Sequence, residues 1–144
     1  MRKVSIKGVL VGGVVDVAAT TILAIPLAIY AMAKFNLLDS PKGSGQVAVA
    51  SAIHASPWLY GVQLLIGLGC SVLGGYVGAL IAKHDELLNG LLSSFLCTVT
   101  GIYSIVAVKN SGSVSEHVLL LIAAPLFGLF GGYLRRVQKY RVLA

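Results

Sequence analysis

The chain has 144 residues, enough for one domain, of which 57% are hydrophobic and 11% charged, with a net charge of +6. A mean hydropathy of +0.90 is higher than a water-soluble domain of this length carries, which argues against an ordinary aqueous globule. The basic residues gather in MRKVSIK and RRVQKYR, with apolar sequence between them, a placement that suits anionic headgroups and not a nucleic-acid groove.

The first apolar run, residues 8–33, exceeds the roughly 20 residues a helix needs to cross a bilayer. With MRKVSIK before it and AMA at Ala31 to Ala33, it imitates a secretory signal. Its apolar part is about twice a signal's usual length, so it reads as a retained transmembrane helix. Gly8, Gly12, Asp16, Thr20, Ala24 and Ala28 recur every four residues and form its small face. Asp16 is the one acidic residue well inside an apolar run; a carboxylate at that depth is costly and by default marks a functional site. Three readings stay open for it: a protonated or hydrogen-bonded aspartate that fixes helix register, a site for a proton or cation, or a contact with a partner protein. Pro26 is expected to kink this helix.

Residues 35–57 form a loop, in which DSPKGSG is turn chemistry and QVAVASAIHA suits a short interfacial helix. A second span, 58–82, opens with Trp58 and Tyr60, side chains suited to the membrane interface, as is Tyr140 near the other terminus. Its later half places Cys70, Gly74, Gly78 and Ala82 on one stripe and Ser71, Gly75 and Ala79 on the next. Small residues at this spacing let helix backbones approach closely, a main source of association where lipid is as apolar as leucine. Tyr76 on this span is the expected hydrogen-bond donor to Asp16.

A short turn holding Lys83, His84, Asp85 and Glu86 leads into a third span, 87–108, and its acids sit where a helix dipole favours negative charge. Ser94 and Thr98 on this span align with Gly12 and Asp16 on the first, and join Asp16 and Tyr76 as the candidate intramembrane polar site. A fourth span, 118–134, is short; it repeats the small stripe as Ala124, Gly128 and Gly132 and contains Pro125. Gln63, Thr20, Thr21, Ser93, Thr100 and Ser104 are scattered polar residues that suit interhelical hydrogen bonds.

The expected fold is thus all-α: a single four-helix transmembrane domain over 1–144, built as two hairpins. Short matches between the halves, including GGY at Gly74 to Tyr76 and again at Gly131 to Tyr133, suggest a parallel internal repeat about an axis near the membrane normal. Lys and Arg concentrate at both termini and in the 83–86 turn, which predicts cytoplasmic N- and C-termini.

Cys70 and Cys97 lie in apolar runs without metal-site spacing, and His54, His84 and His117 are far apart along the chain, so no metal and no cofactor are expected. No paired intramembrane acids, zinc-binding His-Glu pattern, protease serine motif or phosphate-cradling loop occurs, and an enzyme is not expected. GGYVGALIAKHDELLNGLLSS resembles the hairpin of a broad set of small four-span bacterial membrane proteins of uncharacterised function, in which Gly-Gly-Tyr leads to a charged turn and then to Leu-x-Gly. That resemblance implies a compact helical protein of the cytoplasmic membrane and brings no defined activity. His84 stands where a second basic residue is common in that set.

Function at this stage reads as a structural or accessory membrane protein that associates through its glycine-rich faces, Gly8, Gly12, Cys70, Gly74, Gly75, Gly78, Gly128 and Gly132. Its expected partners are membrane lipids and either its own copies or a larger membrane complex, with no nucleic acid. The alternative is an oligomeric channel or transporter that moves protons or small cations through Asp16.

Overall fold

The structure is a computed structural model that describes residues 4–37, 45–107 and 114–143, and side chains over 4–37, 45, 47–99 and 121–141. The DSPKGSG turn lies largely outside these residues, as do the side chains of Thr100, Ser104 and His117. The described chain is all helical: α1 (Ile6–Lys34), α2 (Gly45–Ala55), α3 (Pro57–Ala82), α4 (Glu86–Ala107) and α5 (Val114–Leu143).

Each boundary has a local cause. Ser5 is extended and its side chain accepts from the Gly8 N–H, which caps α1. Pro57 stands in the first turn of α3, where a missing N–H costs nothing. Lys83 ends that helix in the left-handed conformation, with φ 59°, and Asp85 follows at φ 44°, so the turn into α4 reverses the chain in three residues. The interfacial segment expected within 35–57 is helical as α2.

Two helices, α1 and α3, are long and apolar enough to cross a membrane; α4 contributes a shorter apolar stretch, Glu86–Val99, among the described residues. The expectation of four such spans is therefore met in two. The helix that carries the fourth segment runs past the expected span's end at Leu134 and on to Leu143. Arg, Gln, Lys and Tyr tolerate a helix well; charge ends an apolar run without ending the helix. Both Pro26 and Pro125 lie inside continuous helices.

In the bundle α3 and α4 lie at the centre and touch one another, α1 packs against both, and α5 packs against both from the far side. Among the described residues α1 and α5 do not meet. An axis exchanging the two halves would turn an α3–α4 contact into an α1–α5 contact, so the expected symmetric repeat does not hold for the whole bundle. The local contacts do recur: Gly12 meets Gly74 and Gly78 between α1 and α3, and Gly90 meets Gly128 and Gly132 between α4 and α5. Cys70, Gly74 and Gly78 thus correspond to Ala124, Gly128 and Gly132, and the two GGY runs fall out of register by three residues.

Candidate functional site

The residues of interest lie where the first half of α1, the second half of α3, the first half of α4 and the second half of α5 converge. Close approach is what assembles them. A Cβ added to Gly12 would fall 2.6 Å from the Gly74 carbonyl oxygen and 2.8 Å from the Gly78 Cα, and one on Gly74 would fall 2.6 Å from the Asp16 Cβ. Real Cβ atoms do not approach so closely, so only glycine allows α1 and α3 to touch backbone to backbone here. Gly8, Gly12, Cys70, Gly74, Gly75, Gly78, Gly128 and Gly132 are all buried, each against another helix of the same chain. The faces expected to serve association therefore close the chain's own bundle. Gly61, Gly67 and Gly69, toward the other end of α3, have nothing within 4 Å of an added Cβ.

Asp16 is completely buried. Ser71 on α3 donates its hydroxyl to the carboxylate, at 3.2 Å to Oδ2, and the Thr20 hydroxyl donates to the Asp16 backbone carbonyl at 2.8 Å. Ser94 donates to the Ser71 carbonyl at 3.3 Å, and Thr98 donates to the carbonyl of Ser94 at 3.3 Å. The result is a small polar knot in which Asp16 of α1, Ser71 of α3 and Ser94 of α4 link three helices. Among the described residues no buried side-chain oxygen or nitrogen lacks a partner, and no group of His, Cys, Asp and Glu is arranged to hold a metal ion.

Of the four expected polar-site residues, Ser94 reaches Asp16's partner Ser71 through the Ser71 carbonyl, while the hydrogen bond of Thr98 stays within its own helix. Tyr76 does not join them. Its hydroxyl donates instead to Gln138 on α5, which also accepts from Arg135 at 3.2 Å. The expected donor to Asp16 is therefore corrected to Ser71, five residues earlier and on the face of α3 that α1 covers.

Asn89 gave no signal in the sequence and is fully buried. Its side-chain oxygen accepts from the Ser5 N–H at 2.8 Å, while its amide donates to the carbonyls of His84 and Asp85 at 2.9 and 3.1 Å. One side chain thus ties the start of α1 to the turn between α3 and α4. Beside it Lys139 of α5 pairs with Glu86 at 2.7 Å and donates to the Lys83 carbonyl at 3.3 Å. The Lys139 hydrogen bond to Glu86 is the first cause holding the Glu86 carboxyl below the ordinary glutamate range.

Outside this region one stretch of α1 is exposed. Residues 21–26 are all exposed, and six successive residues cover every face of a helix with 3.6 residues per turn. Beyond them Ala31 packs with Val49 and Ile53 of α2 and Leu59 of α3, and His54 lies against the Tyr60 ring at 4.9 Å.

Compared with known protein families, curated proteins and solved structures, the chain matches none.

Proposed function

We propose that the chain is a small integral membrane protein with a structural or accessory role and no catalytic one. It crosses a bacterial inner membrane four times, through α1, α3, α4 and α5, with both termini in the cytoplasm. The observation that carries this reading is an inversion of polarity. The buried residues include Asp16, Ser71, Asn89, Ser93, Ser94 and Thr98, whereas Ile22, Trp58, Leu65, Phe95, Ile122, Leu126 and Phe130 are at least half exposed. Apolar surface on this scale is unfavourable in water and favourable in hydrocarbon. All four long helices carry part of it, which supports four crossings over two. Lys7, Lys83, Arg135, Arg136, Lys139 and Arg141 gather at the glycine-packed end of the bundle, and the positive-inside bias puts that end in the cytoplasm.

The enclosed, hydrogen-bonded setting of Asp16 supports a structural carboxyl that locks helix register. Association with its own copies or with a larger membrane complex then falls to surfaces other than the closed glycine faces. The alternative is proton or small-cation movement through an oligomer, favoured by one observation: a carboxyl inside the bundle with a hydroxyl neighbour and, among the described residues, no cation paired to it.

Two measurements test this. Cysteine labelling at the termini and at Ser44→Cys should find the termini cytoplasmic and position 44 outside; a terminus labelled from the periplasm would overturn the topology. Asp16→Asn should keep the fold and show no lost flux in proteoliposomes, since an amide still accepts from Ser71. A folded Asp16→Asn protein that has lost a wild-type proton or cation flux would establish the transporter.

A further inference from the structure

A recess of about 510 Å³ opens between the start of α4 and the end of α5. It is the right size for part of a small ligand, and its lining changes in character along its length. Leu88, Leu91 and Leu129 line the part nearer the bundle's middle; Glu86, Arg136 and Tyr140 line the part at its basic end. The charges there are unequal in standing. Glu86 is committed to Lys139 at 2.7 Å, and Arg136 sits over the Tyr140 ring with its guanidinium carbon 5.9 Å from the ring centre. That contact holds the guanidinium at the mouth and leaves its N–H edge able to meet an anion. Asp85 adds a carboxylate to the rim.

We propose that this recess binds one glycerophospholipid, its phosphodiester on Arg136 and an acyl chain along Leu88, Leu91 and Leu129. The proposal rests on the membrane reading above, which places the recess at the cytoplasmic interface. A guanidinium matches phosphate oxygens in charge and in geometry, and a cation between membrane helices beside an apolar wall is the arrangement that holds headgroups. The order of the lining, cation outside and leucines inside, is the order of a lipid in its leaflet. A free phosphate would use only the first of these features and a diacylglycerol only the second, so neither is the occupant.

The test uses the full chain purified in mild detergent and stripped of lipid, with binding read by native mass spectrometry. Dioleoyl-phosphatidylglycerol should bind as one tight copy per chain. Arg136→Gln should weaken it about fivefold or more, the worth of one basic side chain at a membrane surface. Arg141→Gln, an exposed charge outside the recess, should not weaken it. Leu91→Trp fills the apolar part and should also displace the lipid, with helicity checked by circular dichroism. Phosphatidylethanolamine, with the same phosphodiester, should compete, while dioleoylglycerol and inorganic phosphate should not. Equal losses in Arg136→Gln and Arg141→Gln, or competition by either of those two controls, would overturn the site. Extraction of the wild-type chain from membranes by alkaline carbonate would instead overturn the membrane reading beneath it.

Discussion

The two ends of the bundle are held by different physics. At the basic end backbones touch through Gly12, Gly74, Gly90 and Gly128, and the interior is polar, with Asp16, Asn89 and Ser94 fully enclosed. At the other end Ala31, Val49, Ile53 and Leu59 pack as an ordinary apolar cluster, while residues 21–26 of α1 are all exposed and Gly61 and Gly69 face open space. The difference follows from the solvent proposed for this chain. Where lipid competes equally for apolar side chains, close backbone approach and interhelical hydrogen bonds supply the specificity. An apolar cluster gains little from leaving hydrocarbon, so the end that depends on one is the end that can loosen.

The comparison is most severely tested by enlarging glycines. Gly74→Leu should destabilise the protein by at least about 1–3 kcal/mol, the usual cost of overpacking, because its neighbours are backbone and the Asp16 Cβ. Gly69→Leu should change stability little. Thermal unfolding in detergent measures both, and equal effects would erase the distinction between the ends.

A smaller loss is expected from Asn89→Leu, which leaves the Ser5 N–H without its acceptor and the His84 carbonyl without its side-chain donor, while the Asp85 carbonyl keeps the backbone N–H of residue 89. About 1–3 kcal/mol is the cost of a buried polar group left unsatisfied. Hydrogen exchange should accelerate in the first turn of α1 and not around Ala31; acceleration at both ends alike would show that Asn89 acts on the whole bundle.

The smallest expected effect is a pH dependence confined to the basic end. Glu86 has a lowered pKa in the folded chain because Lys139 hydrogen bonds to it. Its contribution is therefore complete above the unfolded value of 4.5 and is lost as the pH falls through the folded value. A pair with one exposed partner is worth at most about 1 kcal/mol. Glu86→Gln should flatten the acid limb of the stability curve by that amount and leave neutral pH behaviour nearly unchanged; an unaltered acid limb would assign it to other groups.

The sequence made the tight end legible in outline. A carboxylate in an apolar run is rare enough to single out Asp16, and small residues every four positions identified the faces that close the bundle. It did not show who closes them, because a stripe of glycines looks the same whether its partner lies in the same chain or another. Tyr76 was misassigned for a related reason: it lies close to the right depth, but the angle around α3 that sends it to Gln138 depends on how α3 and α5 cross. Asn89 was invisible because an asparagine three residues after Glu86 reads as the wet end of a helix. Its amide bonds stay within the turn, but the bond to Ser5 exists only once α1 has been brought beside that turn.

That strap has a consequence for synthesis. The Ser5 N–H waits for an acceptor 84 residues downstream, and the Asp16 carboxylate waits for Ser71, 55 residues downstream. At elongation rates of roughly 5–20 residues per second, the first helix spends roughly 3 to 11 s before its aspartate can be met and roughly 4 to 17 s before its first turn can be tied. During that interval the helix carries a carboxyl with no Ser71 to receive it. The ribosome's pace, and whatever insertion machinery shelters the nascent helix, thereby enter the folding of a chain whose finished interior leaves no described polar side chain unmet.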